Sequence, residues 1–213
     1  MVHPGVHAKP CVLLTGFEPF GGEALNPGWL TAKGLHRTPA AGHAVVAARL
    51  PTALGASLAA LQRLLLELRP ALLLCVGRAG GRGALSPERA PVNVNHARSA
   101  DSAGAQPVAM AVVTGGPATC FSGLPIKPRL CALYEHGIAA QVPQTAGAFV
   151  CNHVFYRLVL LLATRAALRA TRGGTWRRGR RAMTPGSRLQ IRPAPEPAGE
   201  QAPGRGRATH LYI

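Results

Sequence analysis

The chain has 213 residues, 47% of them apolar, enough for one well-buried domain with a tail left over. No run reaches the ~18 apolar residues of a membrane span, and the longest, residues 154–163, is interrupted by Arg157. The net charge of +16 points first to nucleic acid, but residues 164–213 carry 11 Arg and 2 Glu, so more than half of the excess lies in the last quarter and nucleic acid is not the expected partner.

The opening MVHPGVHAKP lacks the apolar core and cleavage pattern of a secretory signal. Residues 11–15, CVLLT, predict a short buried strand ending at Gly16. A loop follows, punctuated by Pro19, Gly21, Gly22 and Pro27. A helix is expected over 28–37 and a strand over 43–50. Residues 52–68 predict a second helix, with Thr52 as N-cap and Leu54, Leu58, Leu61, Leu65 and Leu68 on one face. The continuous apolar run ALLLCVG, 71–77, fits a parallel strand covered on both faces. After a long loop, strands are expected at 108–113 (VAMAVV) and 137–142 (GIAAQV), with a helix at 126–136 between them. The last helix begins near Val150, since Val150, Val154, Phe155, Leu158, Leu161 and Leu162 recur at helical spacing. The alternation of strands and helices predicts an α/β sandwich on a twisted, mostly parallel sheet, with ligand-binding loops gathered at one sheet edge. Residues 1–168 form the expected domain. Residues 169–213, rich in Arg, Pro and Gly, are expected to be a disordered tail.

Four loop clusters carry possible chemistry. Phe17 and Phe20 lie three apart among glycines and suit either a small pocket or a covered core edge. Glu88 follows a proline, and Arg98 is a loop cation; alone, each reads as solvated surface. Cys151 falls in the first turn of the last helix, where the positive helix end favours a thiolate, though a cysteine there is also a good packing residue. His153 faces away from Cys151 on that helix and is a poor base for it. No CxxC and no His/Cys pair at i, i+4 is present, so no metal is predicted. The Gly-rich CVGRAGGRG lacks the spacing of a phosphate loop, so no nucleotide cofactor is predicted. Five cysteines, an odd number without close pairs, fit a reducing, cytoplasmic setting; Cys11, Cys75 and Cys131 read as buried thiols.

Taken together, LLTGFEPFGGEALNP, CVGRAGGR…SPERAPVNVNHAR, GGPATCFSGLPIK and TAGAFVCNHVFY closely resemble pyroglutamyl-peptidase I, in order over about residues 11–162. The resemblance implies an α/β/α sandwich and a cytosolic, usually oligomeric cysteine peptidase that removes N-terminal pyroglutamate from peptides. It implies a Cys–His–Glu triad with Cys151 as nucleophile and Glu88 as the carboxylate. It also implies Arg98 near the oxyanion, and Phe17, Phe20 and Phe149 around the lactam.

The resemblance stops before the family's histidine. That residue ends a final core strand about two dozen residues after the cysteine, where this chain has RGGTWRRGRRAMTPG. Thr175, Trp176 and Arg177 stand in place of the strand, and the final helix has no counterpart, as a shifted reading frame or an altered last exon would produce. His210 is the one histidine after His153. The expectation is an impaired peptidase without its base, with His210 a weak candidate. The alternatives are a pyroglutamyl-peptide binder without turnover and a basic-tailed protein that binds acidic partners.

Overall fold

The computed structural model describes residues 11–80, 83–143, 146–171 and 207–212. In chain order the elements are β1 (Val12–Phe17), α1 (Pro27–Gly34), β2 (Pro39–Ala40), β3 (His43–Leu50), α2 (Leu54–Leu68), β4 (Leu72–Gly80), β5 (Ser86–Pro87), α3 (Ile126–Glu135), α4 (Val150–Thr171) and β6 (Arg207–Tyr212). The sheet runs β2-β3-β1-β4-β6-β5. Its centre is parallel: Leu14 of β1 lies opposite Ala47 of β3 and Leu74 of β4. β2 joins β3 antiparallel, and β6 runs antiparallel to β4 but parallel to β5.

Successive side chains of a strand point to opposite faces, and both faces here are covered. Leu13 and Phe17 pack with Leu73, Cys75, Leu61 of α2, and Val150, Val154, Phe155 and Leu158 of α4. Val12, Leu14 and Val76 pack on the other face with Ala32 and Trp29 of α1. The result is the expected three-layer α/β/α sandwich. Gly16 marks how closely the layers approach: a Cβ there would stand 2.5 Å from Cα of Trp29.

Several expectations for single elements need correction. Helix α2 starts at Leu54, and Thr52 does not cap it: its hydroxyl donates to Glu18 O. The cap comes from afar, with Leu54 N donating to Oδ2 of Asp101. Residues 108–113 form no strand. Ala109 adopts a left-handed φ of 49°, and one isolated bridge, Asn95 to Met110, is all that pairs them. Residues 137–142 contribute only the bridge of Ala140 to Leu85. Cys131 is exposed, because α3 buries little besides Ile126. Helix α4 continues to Thr171, past the expected boundary at 168, and 207–212 form a strand inside the stretch expected to be structureless. Residues 172–206, including Thr175, Trp176 and Arg177, lie outside the described residues, as do residues 1–10. Among the described residues, no helix is long and apolar enough to cross a membrane.

Candidate active site

Cys151 is the second residue of α4. Gly147, at φ 80°, turns the chain into that helix, a conformation that favours glycine. First-turn amides lack helical acceptors, and the helix dipole adds partial positive charge, so a thiolate is stabilised there. Cys151 is half-buried against the core that contains Cys75. Burial pushes the Cys75 thiol up to about 12; the Thr15 hydroxyl opposes this, and the charge of Cys151 adds to it. Cys151 therefore lies within electrostatic reach of β4.

Two of the three expected pocket aromatics meet. Phe20, from the loop after β1, and Phe149, just before α4, have ring centroids 5.3 Å apart at 45°. Phe17 is buried in the core cluster that Phe149 packs against. The Phe20 loop is pinned at its start. Oε1 of Glu18 accepts from Thr52 N, and Glu18 O accepts from the Thr52 hydroxyl and from Nδ2 of Asn26.

Glu88 is fully buried, one residue beyond β5. Strand β6 is what ties β5 to the sheet: His210 lies opposite Gly77 of β4 on one side and Ser86 of β5 on the other. The backbone thus brings His210 to a register position two residues along β4 from Cys75, and opposite Ser86, which precedes Glu88 by two residues in the chain.

Arg98 is exposed, in a loop held by its neighbours. Nε2 of Gln106 donates to Arg98 O at 3.2 Å, and Ala97 N donates to Pro107 O. Asp101 accepts from the amides of Ala103, Ala105 and Leu54, which fastens this loop to the start of α2. Desolvation works against the charged form of Asp101, yet those amide bonds hold its carboxyl below the usual range.

His153 does turn from Cys151: its Nδ1 is 3.2 Å from Oδ1 of Asn95. Burial, with help from the charge of Arg157, pushes its pKa down to about 4, so the ring is neutral near pH 7. Sequence reasoning passed over Asn152 and Asp101, whose partners lie far along the chain. Among the described residues, no group of three His, Cys, Asp or Glu is arranged to hold a metal ion.

A sequence model of the pyroglutamyl peptidase family matches residues 10–174. The chain belongs to the pyroglutamyl peptidase family. The pyrrolidone-carboxylate peptidase of Klebsiella pneumoniae is 50% identical over 158 residues, covering 74% of each protein. Pyrrolidone-carboxylate peptidase 1 of Ralstonia nicotianae is 49% identical over 154 residues, 72% of each. The crystal structure of pyroglutamyl peptidase I from Bacillus amyloliquefaciens superposes with a TM-score of 0.70 at 43% identity, covering 73% of this chain and 75% of that one. The pyrrolidone carboxyl peptidase of Thermococcus litoralis, 24% identical with a TM-score of 0.71, covers 96% of this chain and 76% of its own; at that identity the likeness speaks for the fold alone. This pyroglutamyl peptidase family member is thus a peptidase by descent, and its family match ends at Gly174, ahead of β6.

Proposed function

We propose that the chain cleaves N-terminal pyroglutamate from peptides, with Cys151 as nucleophile, and does so more slowly than a complete family member. The observation that carries the reading is the Phe20–Phe149 pair, seated where the chain enters the helix that opens at Cys151. Phe20 and Phe149 form an apolar wall for the neutral lactam ring, backed by Phe17 in the core that Phe149 packs against. The Cys151 thiolate attacks the carbonyl that joins pyroglutamate to the next residue, forming a carbon–sulfur bond. The backbone N–H of Cys151 and the Arg98 guanidinium meet the developing oxyanion. Collapse expels the amine, which takes a proton, and water then hydrolyses the thioester to release pyroglutamate.

The family's histidine being absent from its expected place, the base proposed here is the remaining candidate, His210, with Glu88 as the proposed carboxylate of the triad. The support is topological: β6 sets His210 between β4 and β5, beside the segment that leads to Glu88. The rate suffers because this histidine lies on a strand outside the family match, separated from α4 by residues 172–206. Five free thiols fit a reducing, cytoplasmic setting, and assembly into homo-oligomers follows the family pattern.

A fluorogenic pyroglutamyl amide tests this reading. Turnover is expected with the pyroglutamyl amide and not with the prolyl amide, and it should vanish in Cys151→Ala. Full turnover in Cys151→Ala would refute it. Calorimetric binding of a pyroglutamyl peptide without any turnover would make the protein a binder instead.

A further inference from the structure

Asn152, next to the nucleophile, is fully buried in a helix start. An asparagine is a poor helix former, and its amide is costly to bury unless every polar atom is satisfied. Here the amide does not serve its own helix. Oδ1 accepts from Val92 N at 2.9 Å, and Nδ2 donates to Val92 O and Val94 O, each at 2.9 Å. The Val92 N–H can only donate, which fixes the amide orientation. One side chain thus acts as an extra strand partner for the segment 92–94.

The two residues that follow are tied to the same region: His153 Nδ1 lies 3.2 Å from Oδ1 of Asn95, and His96 N donates to Ala148 O, just before α4. On the outer side of the segment, the Asn93 side chain holds Val113 and Gly116. This segment lies between Glu88 and Arg98 in the chain. Whatever sets its position against α4 sets both of those groups against Cys151.

We infer that Asn152 is a positioning residue that locks the loop carrying Arg98 to the turn of helix carrying Cys151, so that thiolate and oxyanion partner are set as one unit. The inference rests on the proposed roles of Cys151 and Arg98. Its alternative is an asparagine that merely fills and stabilises the core.

Two ligands separate these roles without relying on turnover. One is the aldehyde analogue of pyroglutamate, which adds the Cys151 S–H across its C=O: a C–S bond forms and the oxygen takes the charge or proton. The other is the matching alcohol, which reads the lactam pocket alone. The ratio of their affinities reports on the thiol and its oxyanion setting. Arg98→Ala should lower that ratio tenfold or more. Asn152→Ala should lower it by a similar factor, with alcohol affinity held within threefold. The double variant should be no worse than either single one, since residues acting as a unit are not additive. Asn152→Ser, which keeps a small polar group but cannot make all three contacts to Val92 and Val94, provides the same test if the alanine variant folds poorly.

Equal loss of alcohol and aldehyde affinity in the Asn152 variants would overturn the inference. So would a full additional Arg98→Ala effect in the Asn152→Ala background. A wild-type chain that binds aldehyde no better than alcohol would instead refute the nucleophilic role of Cys151, and the inference with it.

Discussion

Two thiols within electrostatic reach of each other differ in their burial. Cys75 is fully enclosed and its thiol is pushed up to about 12, whereas Cys151 is half-buried at a helix start. Against a reference thiol near 8.5, Cys75 has roughly a thousandfold less thiolate at pH 8. Iodoacetamide followed by mass spectrometry should therefore modify Cys151 at least a hundredfold faster than Cys75. Exposed Cys131 should also react, but a pyroglutamyl peptide should protect Cys151 alone. His153 supplies a second prediction. Its folded pKa, near 4, lies below the usual ~6.5 of the unfolded chain, so between these values only the unfolded state binds the proton. Its contribution is fully present above about pH 6.5 and is lost as pH falls towards 4. His153→Gln should flatten that part of a denaturation-versus-pH curve. At this scale the sequence displayed Cys151 and the phenylalanines through their motif phrases. It hid Asn152 and Asp101, because an amide clamp across sixty residues or a helix cap supplied from a distant loop leaves no local pattern.

Strands β1 and β4 were legible because a strand covered on both faces must be a nearly unbroken apolar run, and β3 through the apolar stretch between His43 and Arg49. The run at 108–113 shows the limit of that signal: Val108 and Met110 are exposed, and the left-handed Ala109 prevents a ladder. β6 was invisible for the opposite reason. Its sequence, RATHLY, has neither an unbroken apolar run nor an alternation, and it is a strand because β4 and β5 present open edges on either side of it. Two substitutions probe the elements. Gly16→Ala would drive a methyl group into the backbone of α1 and should cost about 1–3 kcal/mol in a denaturant titration, the usual cost of overpacking. His210→Ala should leave pyroglutamyl-peptide affinity within a few fold while lowering the rate of the fluorogenic assay by several powers of ten, as loss of a triad member does. An unchanged rate would remove His210 from the mechanism.

Across the whole molecule, the excess charge and most of the chemistry are segregated, His210 being the exception. Residues 1–163 carry a net +7 and contain Cys151, Glu88, Arg98 and the three phenylalanines, whereas residues 164–213 carry +9. Any attachment to a polyanion should therefore belong to the last quarter. Replacing the arginines of residues 172–206 by glycine should flatten the salt dependence of heparin retention without weakening peptide binding. If retention persists, the anion contact lies on the domain.

The insertion of β6 between β4 and β5 also bears on how molecules meet. Backbone pairing is indifferent to side chains and to which copy of the chain supplies the strand. A strand reached through residues 172–206 has the same six partners on β4 whether they belong to its own fold or to a neighbour. While β6 is undocked, β4 and β5 present unpaired edges, the template from which strand exchange and aggregation both start. An exchanged dimer would seat the His210 of each copy beside the Glu88 segment of the other. Dilution would then govern the amount of complete site, and a chain inactive for want of Cys151 could complement one inactive for want of His210.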